Sequence, residues 1–190
     1  MILSPDLRLL EESRDAGRTI FIVDSHAGFS LLSNLGVGKL GLPKSMISLG
    51  AGSNVDPHDF NIATSRGDLH IQILKLAKLL KKEQRLVRIV PDGPEGDLVE
   101  FDIYGHTIKL GQGAAMLAYY GRAAIYFVSS EWDGTNFRLS FKPGPVASSA
   151  QPRGDFDREF YKFYLDCLRE IVSGPPEDMG LNGGFWRFFQ

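Results

Sequence analysis

Apolar residues in this chain fall into two alternating patterns. Thr19 to Val23 and Ala124 to Ser129 are apolar runs of strand length, and Leu86 to Val90 is nearly so. Such runs mark strands covered on both faces. Between them lie segments with apolar residues at helical spacing. Ile73, Leu74, Ala77 and Leu80 recur within Leu69 to Lys82, with Lys75, Lys78, Lys81 and Lys82 around the other side, the pattern of an amphipathic crossover helix. Phe156, Phe160, Phe163 and Ile171 do the same within Asp155 to Val172. Ser4 to Ala16 reads as a short helix capped by Ser4, with Pro5 tolerated in its first turn and Gly17 ending it. Phe29, Leu32, Leu35 and Leu40 predict a helix after His26, and Ser45 to Leu49 a further strand.

The remaining segments are read from turn chemistry. Gly50 to Asp59, rich in Gly, Ser, Asn, Asp and Pro, predicts a long loop suited to the rim of a pocket. A short strand is expected near Val99 to Tyr104 and a small-residue helix over Gln112 to Tyr120. Trp132-Asp133-Gly134-Thr135 predicts a hairpin turn whose second strand runs from Asn136 to Lys142, because Asp-Gly supplies the positive φ of a tight connection. Pro143 to Gly154 reads as a linker-like loop. The alternation predicts an α/β fold: a single domain over residues 1–190, with a mixed, mostly parallel sheet flanked by helices.

Composition narrows the function classes. The 190 residues are 43% hydrophobic and 23% charged, enough for a core. A formal charge of −2, with no basic tract interleaved with aromatics, argues against a nucleic-acid partner. The single cysteine, Cys167, rules out an intramolecular disulfide framework and falls on a packed helix face. Charges throughout residues 1–24 exclude a signal peptide or a membrane span there, which implies a cytoplasmic protein with any membrane contact peripheral. The terminal Phe185-Trp186-Arg187-Phe188-Phe189 is too aromatic to hang free in water and is expected to dock on the body or on a protein partner.

Two elements carry candidate chemistry. His26 follows a buried strand and opens a helix, where backbone N–H groups favour developing negative charge. The turn Pro91-Asp92-Gly93-Pro94-Glu95-Gly96-Asp97 leaves a second buried strand, so an α/β sheet would present its carboxylates at one edge. Asp92 and Glu95 are candidate ligand contacts there, and Asp24 lies two residues before the histidine. His58, His70, His106 and Cys167 do not make a metal-ligand spacing. Neither a Gly-x-Ser-x-Gly elbow nor the glycine patterns of nucleotide-binding loops are present.

The order of these pieces resembles the lysophospholipid acyltransferase superfamily, and most closely its bacterial lipid A late acyltransferases. The resemblance runs from Ile20 onward. A strand precedes His26, Arg66 lies in the next connection, a lysine-rich helix precedes a strand and Pro91-Asp92, and Tyr104-Gly105 precedes a Gly-Ala-Ala helix. A Trp132-Asp133-Gly134 hairpin, a long helix, Pro175-Pro176 and a terminal Trp186-Arg187-Phe188 follow. By length, the chain would be a soluble, trimmed member without an N-terminal anchor.

The resemblance implies an acyltransferase-like fold in which a histidine removes a proton from an acceptor hydroxyl or amine attacking a thioester. The acyl donor would be acyl-CoA or acyl-carrier protein, with no further cofactor. The family places an Asp or Glu five positions after the histidine, whereas Leu31 stands here. Asp92 is the first choice to orient His26 and Asp24 the second. Backbone amides at Ala27 and Gly28 would stabilise the oxyanion, Arg66 would hold a donor phosphate, and Glu95 would contact substrate. With Leu31 at that position, two other readings stand beside this one. The fold could serve as a binding subunit docking a partner through its aromatic C-terminus, or its pocket could be redirected to other chemistry on a small, carrier-bound substrate.

Overall fold

A computed structural model describes residues 7–26, 40–48, 60–63, 69–92, 97–132, 134–148 and 150–174. Along the chain they form α1 (Leu7–Asp15), β1 (Ile20–Val23), β2 (Lys44–Ser48), β3 (Phe60–Ala63), α2 (Leu69–Leu80), β4 (Leu86–Ile89), β5 (Leu98–Ile103), β6 (His106–Gly111), α3 (Gly113–Gly121), β7 (Ala124–Trp132), β8 (Phe137–Pro143) and α4 (Arg153–Val172). The fold is mixed α/β. Six strands make one sheet in the order β3-β2-β4-β1-β7-β8. Every pairing in it is parallel except β7 with β8.

β1 lies between β4 and β7, and all four of its residues are buried. Alternation along these strands sorts their side chains between two apolar layers. Phe21, Val23, Val87, Ile89, Ile125 and Phe127 face one layer, packed against Leu76 and Leu80 of α2, Ala115 and Leu117 of α3, and Phe156, Phe160 and Tyr164 of α4. Ile20, Ile22, Leu86, Ala124, Tyr126 and Val128 face the other, with Leu10 of α1 and Leu40. Tyr126 pins α1 to this second face. Its hydroxyl donates to the Leu9 carbonyl at 2.9 Å and meets Ser13 Oγ at 2.7 Å. Helices therefore cover both faces, as the unbroken apolar runs require.

Two strands were not foreseen from sequence. β3, only four residues long, extends the parallel sheet beyond β2. β6 pairs antiparallel with β5 in a separate two-stranded sheet, so the Val99 to Tyr104 segment belongs to a hairpin and not to the main alternation. In β6 only Ile108 and Leu110 are buried, so it has no apolar run to announce it. Its turn is made by Tyr104 and Gly105, both at positive φ (53° and 79°), which suits a tight two-residue hairpin. Phe101 of β5 rests on Tyr161 of α4 with ring centroids 5.0 Å apart.

The other hairpin, β7 to β8, forms where Asp-Gly predicted it, with Gly134 at φ 92°. The expected Ser4 cap and Pro5, the helix after His26, the Gly50 to Asp59 loop and the aromatic C-terminus lie outside the described residues. Cys167 is buried on α4, and burial pushes its thiol up to about 12, away from nucleophilic use. None of the described helices is long and apolar enough to cross a membrane.

Gly144 marks where β8 leaves the sheet beneath α4. Its N–H donates to the Ile125 carbonyl at 2.8 Å, and a Cβ there would stand 2.7 Å from Phe163 Cε1 and 3.0 Å from Ile125 Cγ2. Gly144→Ala is therefore expected to destabilise the fold by about 1–3 kcal/mol in urea unfolding. Gly154→Ala, in the first turn of α4 with nothing within 4 Å of the added carbon, should instead be neutral or stabilising by about 0.5 kcal/mol.

Candidate functional site

The C-terminal edge of the parallel sheet gathers the charged residues that follow β1 and β4. Val23 is in register with Ile89, and the ladder continues one step further as the Asp24 N–H donates to the Ile89 carbonyl at 3.0 Å. His26 and Asp92 each stand three residues beyond that registered pair. Parallel strands in register thus deliver the two side chains to the same place.

Asp92 grips His26 twice. Its Oδ2 accepts the His26 backbone N–H at 3.0 Å, and its Oδ1 lies 3.0 Å from the ring Nδ1. A carboxylate offers only acceptors, so Nδ1 carries the hydrogen and Nε2 is left as the basic nitrogen. The Asp92 side chain is 2% exposed and the imidazole 34% exposed, so the carboxylate is fixed while the ring reaches solvent. The His26 pKa is raised above its ordinary 6.5. The hydrogen bond that the ring donates to Asp92 is the largest cause, desolvation opposes it, and the charges of Asp92 and Asp24 add to it against Arg88.

Asp24 takes a different role. Its Oδ1 accepts the Ser25 N–H and its Oδ2 accepts from Arg88 Nη2, both at 2.8 Å. The Asp24 and Arg88 side chains are 5% and 12% exposed. Asp24 therefore anchors the strand end, and the imidazole's direct partner is Asp92. Beneath both lies Tyr164 of α4, fully buried, its hydroxyl donating to the Asp24 carbonyl at 3.1 Å. Burial first, then the Asp92 and Asp24 charges, keeps that phenol protonated far above its ordinary range.

Of the candidates read from sequence, His26, Asp92 and Asp24 come together at this edge. Ala27, Gly28, Arg66 and Glu95 lie outside the described residues, as does Leu31. Arg88 and Tyr164 were not singled out. A lone arginine inside an otherwise apolar strand was a signal for the first, whereas a tyrosine within an amphipathic helix gave none for the second. Among the described residues no group of three or more His, Cys, Asp or Glu is placed to hold a metal ion. No protein-family model matches the chain, and no curated protein matches its sequence.

The imidazole's basicity is open to direct measurement. In Asp92→Asn the charged hydrogen-bond partner is gone while burial and Arg88 still disfavour the imidazolium, so the His26 pKa should fall, as read by NMR titration. The sign carries over to stability. A folded pKa raised above the unfolded 6.5 stabilises the native state fully below pH 6.5, and that contribution is lost as pH rises through the folded value. Asp92→Asn should remove this pH-dependent contribution.

Proposed function

We propose that the chain is an acyltransferase-like enzyme that moves an acyl group from acyl-CoA or acyl-carrier protein to a hydroxyl or amine acceptor, with His26 as general base. The observation that carries this reading is the 3.0 Å contact of His26 Nδ1 with the buried Asp92 Oδ1 at the C-terminal edge of a parallel sheet. It supplies a carboxylate for the imidazole although Leu31 stands where the family has one. A binding subunit would have no need of a half-exposed imidazole held at both its ring and its backbone nitrogen.

In this reaction Nε2 takes the proton from the acceptor as its oxygen or nitrogen attacks the thioester carbonyl carbon. The tetrahedral oxyanion forms next to the helix start expected after His26, where the Ala27 and Gly28 amides would donate to it. Collapse breaks the carbon–sulfur bond, and the imidazolium returns its proton to the leaving thiolate. Asp92 stabilises the imidazolium through both steps and fixes the tautomer. Arg66 would hold a phosphate of the donor and Glu95 the acceptor side. The same reading has the protein act in the cytoplasm or at the inner face of a membrane.

Mass spectrometry of the purified chain with a panel of acyl-CoA and acyl-carrier-protein donors and simple hydroxyl or amine acceptors tests this. Acyl transfer should be abolished in His26→Ala and lowered about 10²–10⁴-fold in Asp92→Asn. Turnover should rise with pH through the raised His26 pKa, and in Asp92→Asn that rise should move to lower pH. Transfer indifferent to His26 would sink the reading.

A further inference from the structure

The opposite, N-terminal edge of the sheet has its own cavity, of about 440 Å³, walled by the connections α1–β1, α2–β4, α3–β7 and the segment after β8. Thr19 lines it, directly before β1, and Val23 ends that strand. Four residues at about 3.3 Å each put at least ~13 Å between this cavity and the His26 edge.

Its walls are charged in one sense. Arg18, Lys81, Lys82 and Arg122 all line it, and the single acid among its lining residues is Glu83. Arg85 neutralises that carboxylate, its Nε 2.6 Å from Glu83 Oε1. Lys81 lies over the Tyr120 ring at 5.4 Å, which leaves its charge intact. Among the described residues no ion pair engages Arg18, Lys82 or Arg122. The bland explanation is that cations collect at helix C-termini, since α2 and α3 end here. The end of α1 at Asp15 adjoins the cavity too, and three helix ends at only about half a negative charge each still leave four cations a surplus of roughly two to three. That surplus stands out on a chain of net charge −2.

Two features show that the wall is built. Gln84 Nε2 donates to the Arg14 and Arg18 carbonyls at 2.7 and 2.9 Å, fixing the segment that carries Arg18. Arg122 closes α3 in the left-handed conformation, φ 46° and ψ 43°, its N–H reaching the Ala118 and Tyr119 carbonyls. Glycine or asparagine usually takes that position because a larger side chain is strained there. The preceding Gly121 serves another purpose, since a Cβ on it would stand 3.2 Å from Leu80 Cδ1. A guanidinium is thus held in a strained backbone where glycine would close the helix without cost.

We propose that this cavity is a binding site for a small polyanion of the diphosphate class, with Arg18, Lys82 and Arg122 as its ligands. Paired phosphates spread charge over several oxygens and can engage cations from three different connections at once. The site is independent of the His26 reading and stands or falls without it.

Isothermal titration calorimetry of the full chain with inorganic pyrophosphate, at about 50 mM salt, should give a Kd under about 1 mM that weakens as salt is added. Arg18→Gln and Arg122→Gly should each weaken it about tenfold or more, while His26→Ala leaves it unchanged. Arg122→Gly should do so with Tm unchanged or raised by about 2–4 °C, because strain is relieved as the ligand is lost. A wild-type chain that takes up no pyrophosphate, or binding indifferent to both substitutions, overturns the site. Citrate binding as tightly as pyrophosphate overturns the diphosphate assignment.

Discussion

The parallel pairing of β1 with β4 is the constraint on which the candidate site depends. Val23 and Ile89 are in register, and the two chains leave the sheet side by side, so the third residue beyond each, His26 and Asp92, meet at 3.0 Å. A one-residue slip would turn every side chain of the strand to the opposite face. It would set Phe21 and Val23 against the layer that now receives Ile20 and Ile22, and it would part the carboxylate from the imidazole. The apolar packing that holds the sheet together is thus what fixes the distance between the two groups.

Burying charge at that edge is costly, and the structure meets the cost by pairing. Asp24 and Arg88 are almost fully withdrawn from water, where an isolated ion would lose several kcal/mol of hydration. Each answers the other, and the second Asp24 oxygen is taken by a backbone amide. Their effects on His26 have opposite signs, Asp24 raising its pKa and Arg88 lowering it. What remains unopposed by a like-sized neighbour is Asp92, whose direct hydrogen bond therefore sets the basicity of the ring. Tyr164 closes the arrangement from the helical layer, tying α4 to the same strand end through the Asp24 carbonyl.

Much of this could be read from the sequence. The central strand, the crossover helix, the long helix bearing Cys167 and the Asp-Gly hairpin each have a strong local signal, and His26 and Asp92 were chosen because both follow buried apolar runs. The rest was hidden for physical reasons. β3 has four residues and β6 buries only two, too few for periodicity to register. Which strand neighbours β1 is a matter of long-range pairing, so the meeting of His26 with Asp92 followed from sequence only if β4 were its neighbour. The αL conformation of Arg122 left no mark in the sequence, since that position usually carries glycine or asparagine.

The chain's small net charge conceals a polarity along the strands. At the C-terminal edge, two carboxylates and a guanidinium, largely buried, surround the imidazole. The cavity at the N-terminal edge is lined by four exposed cations and one acid already engaged. Screening limits exposed charges to about 8–10 Å at moderate salt, less than the ~13 Å or more between the edges. The basic surplus therefore does little to the imidazole through solvent, and the low-dielectric neighbours Asp92, Asp24 and Arg88 govern it. The same sheet can in this way hold a hydrogen-bonded His–Asp pair at one edge and a basic cavity at the other without either field disturbing its counterpart.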